Sequence, residues 1–434
     1  MRAALARAAY STLLRLATPL YLARLWWRGR SEPPYRAAWN ERLGGFAGAA
    51  VAGRLWLHAV SLGETRAAAA LVDALRLQVP GLRLLLTHGT ATGREAGQAL
   101  LREGDAQAWL PYDTPGAVRR FIANHRPAVG VLMETEIWPN LLFEARAARL
   151  PMVLANARLS ERSQVKGERF AALMRPAVAA FSRVLAQTAA DAQRLRDSGA
   201  ASVQVLGNIK FDMTPRPDLV ARAHRWRAAL GRPVVLAAST REGEEPPLLQ
   251  AWREQPGPRP LLLLVPRHPQ RFDSVAAAVA EAGLAGLRRS GWGDDPPDEA
   301  ATADVWLGDS MGEMALYAAL ADVALLGGSF APLGGQNLIE LAACGCPVVM
   351  GPHTFNFEQA AELALAAGAA RRAAGIEDGV AAAVALACSD EQAALSGRAL
   401  AFTALHRGAA ERMAREIVAL MPAAAPAAAP AGRA

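Results

Sequence analysis

VALLGGSFAPLGGQNLIELAACGCPVVMG, residues 323–351, is the stretch whose reading decides the fold. An apolar run over residues 323–326 ends in Gly327-Gly328, and a loop carrying Gly334-Gly335 follows. Asn337 then opens a helical pattern of Leu338, Ile339, Leu341 and Ala342 that stops at Gly345, and residues 347–350 read as the next buried strand. Strand, Gly-rich loop, helix, strand is a βαβ unit, its glycines at the carboxyl end of a strand, where open parallel sheets bind ligands. Glycine there lets backbone N–H groups approach a phosphate, and a helix N-terminus adds partial positive charge. Asn337 and Glu340 are spaced as N-cap and N3, so Glu340 is either a capping carboxylate or a grip on a ribose diol.

The same alternation extends outward. Apolar runs at 233–238, 261–265 and 305–307 each end in polar, Gly- or Pro-marked turns: Ser239 to Glu245, Pro266-Arg267-His268-Pro269, and Gly308 to Glu313. Together these predict a ligand-binding α/β domain over 231–421, with an Ala/Pro-rich tail at 422–434 expected to be disordered. Residues 213–230, opening with Thr214-Pro215-Arg216-Pro217-Asp218, read as a linker. Before it, strands expected at 55–60, 82–87, 129–133, 151–155, 184–186 and 203–206 alternate with helices such as 65–78 and 115–125, the latter preceded by Asp113 and Thr114 as caps. This predicts a second doubly wound parallel sheet over 31–212.

Three loops of that first domain carry chemistry. Glu64 stands at the first turn of a helix, where the dipole favours a carboxylate and where a general base could equally act. Glu134 ends an apolar strand, a place that solvates a carboxylate poorly unless a cation or ligand meets it, and Glu136 follows two residues later. The Thr/Gly cluster after residue 86 fits a phosphate or sugar hydroxyl as well as it fits a plain turn. His58, inside its strand, reads as a core histidine. Lys210 lies in Gly207-Asn208-Ile209-Lys210-Phe211-Asp212 and either meets an anion or pairs with Asp212.

Composition bounds the function. The 434 residues are too many for one ordinary core, and an apolar content of 52% supports large buried interiors. The net charge of +7 comes almost wholly from arginine, since Lys166 and Lys210 are the only lysines. A basic balance favours nucleotides, phosphorylated glycolipids or a membrane surface, and no aromatic-interleaved basic cluster points to nucleic acid. Cys344, Cys346 and Cys388 are too few for a disulfide framework and lack metal-ligand spacing. In residues 1–30, Arg2, Arg7, Arg15, Arg24, Arg28 and Arg30 interrupt the apolar runs before a spanning length of about 20 residues is reached. Trp26-Trp27 beside Arg28 and Arg30 fits an interfacial anchor; a helix packed on the first domain is the alternative. No GxxxxGK[ST] loop, Asp-x-Asp pair or GxSxG elbow occurs.

Taken in order, nine motifs carry a resemblance over nearly the whole chain: SLGE at Ser61, METEIWPN at Met133, ANARLS at Ala155, GNIKFD at Gly207, ASTREGEE at Ala238, PRH at Pro266, GDSMGE at Gly308, GGQNLIE at Gly334 and MGPHTFNF at Met350. The chain resembles the 3-deoxy-D-manno-octulosonic acid (Kdo) transferases of lipopolysaccharide synthesis, which are GT-B glycosyltransferases. The resemblance implies two Rossmann-like domains facing across a cleft. It implies inverting, metal-independent transfer of Kdo from CMP-Kdo to the 6′-hydroxyl of a lipid A precursor at the cytoplasmic face of the inner membrane, with no cofactor. It further implies Glu64 as base, Glu134 and Lys210 as transition-state stabilisers, and Pro266, Arg267, Met311, Gly312, Glu313, Asn337, Leu338, Ile339 and Glu340 as CMP contacts. Gln336 and Arg241 stand where histidines are common in the family. Two other readings share the pattern, a nucleotide-sugar epimerase or hydrolase of the same shape and a non-catalytic membrane-bound nucleotide-binding scaffold. The arginine- and aromatic-rich N-terminus and the lack of a second obvious base argue against the first, and a dispensable Glu64 would mark the second.

Overall fold

Strands buried on both faces need near-continuous apolar runs, and the runs of this chain assemble into two parallel seven-stranded sheets. The computed structural model describes residues 1–46, 48 and 51–422, so residues 423–434 of the expected disordered tail lie outside the described residues. The chain divides into two units, the first formed by Met1–Asp212 together with the chain from Arg407 on, the second by Met213–His406.

In the first unit the strands are β1 (Leu55–His58), β2 (Leu84–His88), β3 (Ala106–Trp109), β4 (Val129–Met133), β5 (Met152–Ala157), β6 (Arg183–Ala186) and β7 (Val203–Val205), in the order β3-β2-β1-β4-β5-β6-β7. Alternation along β1 feeds two cores. Leu55 and Leu57 pack with Leu71, Leu75, Met413 and Ile417 on one face, and Trp56 with Phe121, Leu142 and Phe181 on the other. Met413 and Ile417 belong to the helix Ala409–Val418, so the second expected domain does not run to 421. That helix buries Ala409, Ala410, Met413, Ala414 and Ile417 on one stripe, a spacing that suits a helix laid on a sheet. Asp212 holds its start, accepting from the N–H groups of Gly408 and, at 2.6 Å, Ala410. Asp212 is therefore not the partner of Lys210.

Asp113 also differs from expectation. Its carboxylate accepts from the backbone N–H of Asn140 (3.1 Å) and Leu141 (2.7 Å), capping the helix Pro139–Ala147 rather than its own neighbour Pro115–His125. It accepts as well from the Tyr10 hydroxyl (2.9 Å). Tyr10 lies in the N-terminal helix Arg2–Arg28, whose Arg7 and Ser11 reach Asn140 Oδ1 at 3.0 and 3.1 Å. The helix is thus pinned along a polar side. Leu5, Leu13, Leu16, Leu20 and Trp27 recur at helical spacing along the opposite side and are all exposed. No described helix is long and apolar enough to cross a membrane.

In the second unit β8 (Val234–Thr240), β9 (Leu261–Pro266), β10 (Gly286–Arg288), β11 (Val305–Leu307), β12 (Val323–Leu326), β13 (Val348–Met350) and β14 (Ala370–Arg372) lie in the order β10-β11-β9-β8-β12-β13-β14. The expected linker 213–230 is corrected here, because Pro217–Leu230 is a helix that buries Leu219, Ala223 and Trp226. Arg227 of this helix grips Asp322, whose carboxylate also takes the Val234 N–H at 2.7 Å. The interleaved arginines hid the apolar spacing of Leu219, Ala223 and Trp226.

Candidate active site

In the first sheet the chain winds outward in both directions from β1 and β4, which makes the carboxyl ends of these neighbours a topological switch point. The loop after β1 carries Glu64, and the loop after β4 carries Glu134 and Glu136. Strand order therefore brings together carboxylates about 70 residues apart in sequence.

Glu64 sits in the first turn of the helix Leu62–Gln78, whose N-cap is Ser61. Its Oε2 accepts from the Val60 N–H at 2.9 Å and its Oε1 from the Ser61 hydroxyl at 3.2 Å, a variation on the capping box. The capping arrangement fixes the carboxylate and leaves it half-buried. Burial raises its pKa, with the Glu134 charge adding to the rise, while the Val60 N–H, the Ser61 hydroxyl and Lys210 oppose it. A raised carboxyl pKa makes a stronger base.

Glu134 adopts a left-handed backbone, φ 56°, unusual for a residue with a long side chain. Its N–H donates to Ala155 O (2.9 Å) and its carbonyl accepts from Arg158 N–H (3.2 Å), so β5 and its following loop hold the turn. Its Oε1 lies 2.8 Å from Lys210 Nζ. Lys210 is framed by a chain of amides. Asn208 Oδ1 accepts from the Lys210 N–H (3.0 Å), Asn208 Nδ2 donates to Gln187 Oε1 (3.1 Å), and Gln187 Nε2 donates to Asn156 O (2.9 Å). Asn156 Oδ1 closes the frame on the Ile209 N–H at 3.1 Å. Asn156 is wholly buried at a left-handed φ of 52°, within the bulge between β5 and β6. Reading by charge and loop position misses Asn156, Gln187 and Asn208. Two of them do stand inside ANARLS and GNIKFD, which was the available signal.

The second sheet has its switch point between β8 and β12. Ser239 takes φ 58° in a bulge of β8, and a Cβ on Gly327 would run into the Ser239 carbonyl oxygen. The Gly328 N–H donates to both oxygens of the buried Glu244 (2.9 and 2.7 Å), and the Arg241 N–H donates to the same carboxylate at 2.9 Å. Glu244, absent from the expected site, thus ties the two loops of the switch point together. Pro266 ends β9, and the Arg267 N–H donates to Thr240 O at 2.9 Å. Arg241, Arg267 and Arg271 surround His268, which burial and their charges hold below the usual imidazole pKa. This is an edge suited to an anion.

Met311 is exposed and Gly312 takes φ 80°. Glu313 is committed within its unit, accepting from the Ser310 hydroxyl (2.6 Å), Arg289 (3.0 Å) and Arg222 (3.4 Å). Asn337 caps the helix Leu338–Ala343 through the Ile339 N–H at 3.2 Å. The Leu338 and Ile339 side chains are wholly buried, so only their backbone can meet a ligand. Glu340 is half-buried, and its charge, behind burial, helps push the Cys344 thiol up to about 12. The expected nucleotide residues thus stand on the loops after β9, β11 and β12, along one edge of the sheet. Among the described residues no group of three or more His, Cys, Asp or Glu is placed to hold a metal.

Residues 37–213 match the family described as 3-Deoxy-D-manno-octulosonic-acid transferase (kdotransferase). The 3-deoxy-D-manno-octulosonic acid transferase of Bordetella pertussis is 47% identical over 421 residues, covering 94% of this chain and 97% of that protein. The Haemophilus influenzae protein of the same name is 35% identical over 358 residues, 81% and 83% of the two chains. The crystal structure of Anabaena Alr3699/HepE in complex with UDP superposes with a TM-score of 0.56 at 14% identity, over 85% of this chain and 99% of that one. A putative UDP-N-acetylglucosamine 2-epimerase from Listeria monocytogenes does so with 0.53, also at 14%, over 84% and 95%. These likenesses, at 14% identity, show the fold alone, two parallel-sheet α/β domains of the GT-B kind, and the fold does not choose an activity. The sequence relatives do, and on them the chain belongs to the 3-deoxy-D-manno-octulosonic acid transferase family.

Proposed function

We propose that the protein transfers Kdo from CMP-Kdo to the 6′-hydroxyl of a lipid A precursor, with inversion, with Glu64 as general base and without a metal. The observation that carries the base assignment is the Glu64 carboxylate, held by Val60 and Ser61 beside the Glu134–Lys210 pair. In the reaction the bond from the anomeric carbon of Kdo to the phosphate oxygen breaks. The acceptor oxygen attacks from the opposite face, and its proton passes to Glu64 while CMP departs. Glu134 places negative charge where an oxocarbenium-like carbon gains positive charge, and Lys210 offers an ammonium to the anionic donor. A monophosphate leaving group carries less charge than a diphosphate, which arginines such as Arg267 and backbone N–H groups can meet. The other expected CMP contacts keep that assignment as part of this proposal.

The site of action is the cytoplasmic face of the inner membrane. The exposed leucine stripe of the N-terminal helix, flanked by arginines and by Trp26 and Trp27, fits a helix lying in an anionic lipid surface. Mass spectrometry of lipid products, after incubation with CMP-Kdo and a Kdo-free precursor, tests the activity. The expected result is a gain of whole Kdo residues that persists in EDTA. Glu64→Gln is expected to keep CMP-Kdo binding and lose about 10²–10⁴-fold in turnover, the worth of a positioned base. Near-normal turnover of that variant rejects the base assignment.

A further inference from the structure

The carboxyl ends of β1 and β4 hold one ionisable group more than the transfer step uses. Glu136 is half-buried, and its Oε2 accepts a 2.7 Å hydrogen bond from the Trp138 indole N–H. His58 Nε2 lies 4.0 Å from the same oxygen. His58 is wholly buried, and its Nδ1 is 3.0 Å both from the Thr87 carbonyl oxygen, which can only accept and would face a lone pair on a bare Nδ1, and from the Thr87 hydroxyl, which already accepts from the Trp56 indole N–H. Nδ1 therefore carries the ring proton, and Nε2, which makes no hydrogen bond, presents a lone pair toward Glu136. A lone pair and a carboxylate oxygen repel each other, whereas a carboxylic-acid proton directed at the nitrogen turns the contact into an attraction. The other charges acting on Glu136 are those of Glu64 and Glu134, both acidic, and the nearby Lys210 ammonium is already taken by Glu134 at 2.8 Å.

We infer that Glu136 is a positioning residue that keeps a proton on its own carboxyl, aimed at His58 Nε2, while Glu64 is ionised, so that the group of Glu64, Glu134 and Glu136 carries one negative charge fewer during turnover. The inference rests on the assignment of Glu64 as base. Burial first, then the charges of Glu64 and Glu134, push the Glu136 carboxyl up to about 7 against the opposing Trp138 hydrogen bond. Burial and the neighbouring His88 pull His58 down to about 3, so the imidazole stays neutral and cannot take over the proton. The sign follows. Below pH about 7 Glu136 is neutral and Glu64 remains the free anion once its own pKa is passed. Above it Glu136 becomes an anion facing a lone pair, and it adds repulsion toward a donor that brings a carboxylate and a phosphate. Activity then falls on the alkaline side.

The test is the pH profile of kcat/KM for the wild type and for Glu136→Gln. The amide stays neutral at every pH and keeps a carbonyl oxygen for the Trp138 indole N–H. The wild type is expected to show an alkaline limb near pH 7, and the variant to lose that limb while keeping the acid limb, with its rate at pH 6 within about threefold of wild type. An unchanged alkaline limb in the variant overturns the inference. So does a uniform loss at all pH values, which marks a packing role, or a loss of the acid limb, which makes Glu136 itself the base. If the amide variant does not fold, Trp138→Phe serves, since removing the donor that favours the anion must move the alkaline limb upward; an unmoved limb overturns the inference. Infrared difference spectra between pH 6 and 8 need no turnover. They are expected to show a protonated-carboxyl band that disappears across that range and is missing from Glu136→Gln, which sets it apart from Asp113, whose carboxyl burial lifts to about 6; a wild type without such a band, or a band kept in full by the variant, refutes the Glu136 assignment. A band that is present, together with normal turnover of Glu64→Gln, refutes the base assignment alone.

Discussion

At the scale of single residues, Lys210 gives the sharpest expectation. Its ammonium is 2.8 Å from Glu134 and its backbone is fixed by Asn208, so charge and position are set before the donor arrives. Charge grows on the leaving phosphate only as the bond breaks, so Lys210→Ala should lower kcat by about 10²-fold or more with a smaller rise in KM. Lys210→Arg should restore little, because a planar fork does not replace a compact ammonium in so tight a frame. Steady-state kinetics on both variants decide this, and a raised KM with kcat intact would make Lys210 a donor-holding residue only. Glu64, Glu134 and Lys210 stand out in the sequence because each interrupts an apolar pattern or a lysine-poor composition. Their pairing does not, since Lys210 had Asp212 as an equal candidate and only the folded chain shows Asp212 engaged by Gly408 and Ala410. The left-handed turns at Glu134 and Asn156 were hidden for a related reason: glycine signals such turns in sequence, and neither residue is glycine.

At the scale of elements, the central strands could be read, and of the four edge strands only β7, with its apolar Val203 and Val205, could. The runs at 129–133 and 305–307 match β4 and β11 to the residue, because strands covered on both faces must be apolar throughout. β3, β10 and β14 went unread, and all three are edge strands: β3 in the first sheet, β10 and β14 in the second. An edge strand pairs on one side only, so its composition, as in Gly286–Arg288, resembles a loop. The helix Pro115–His125 starts where its pattern predicts, with Thr114 at the N-cap position, but a cap that serves a distant helix could not be read, as Asp113 caps Pro139–Ala147. Asp212 does the same for Ala409–Val418, and its removal should be felt there. Asp212→Ala is expected to cost about 1–2 kcal/mol, lowering the melting temperature by roughly 2–8 °C, as read by scanning calorimetry. An unchanged melting curve would mean that apolar burial alone seats the helix.

At the scale of the whole molecule, the N-terminal helix joins two surfaces, a polar side bonded to Asn140, Asp113 and Glu144 and an apolar side facing outward. Leu16→Glu with Leu20→Glu should abolish flotation with vesicles containing anionic lipid, each lost leucine being worth about 1.5–3 kcal/mol of burial. CMP binding should survive, and flotation equal to wild type would reject the lipid-surface assignment. The returning helix Ala409–Val418 has a further consequence, for biosynthesis. Asp212 and its partner Ala410 are separated by 198 positions, which a ribosome adding roughly 5–20 residues per second takes about 10–40 s to traverse. During that interval the nascent first unit lacks Met413 and Ile417, and the apolar face of its sheet under them stays open, while the second unit, contiguous in sequence, receives its last strand, ending at Arg372, before that helix is made. The unit that begins synthesis is therefore the last to close, and for those seconds its uncovered face is a client for a chaperone.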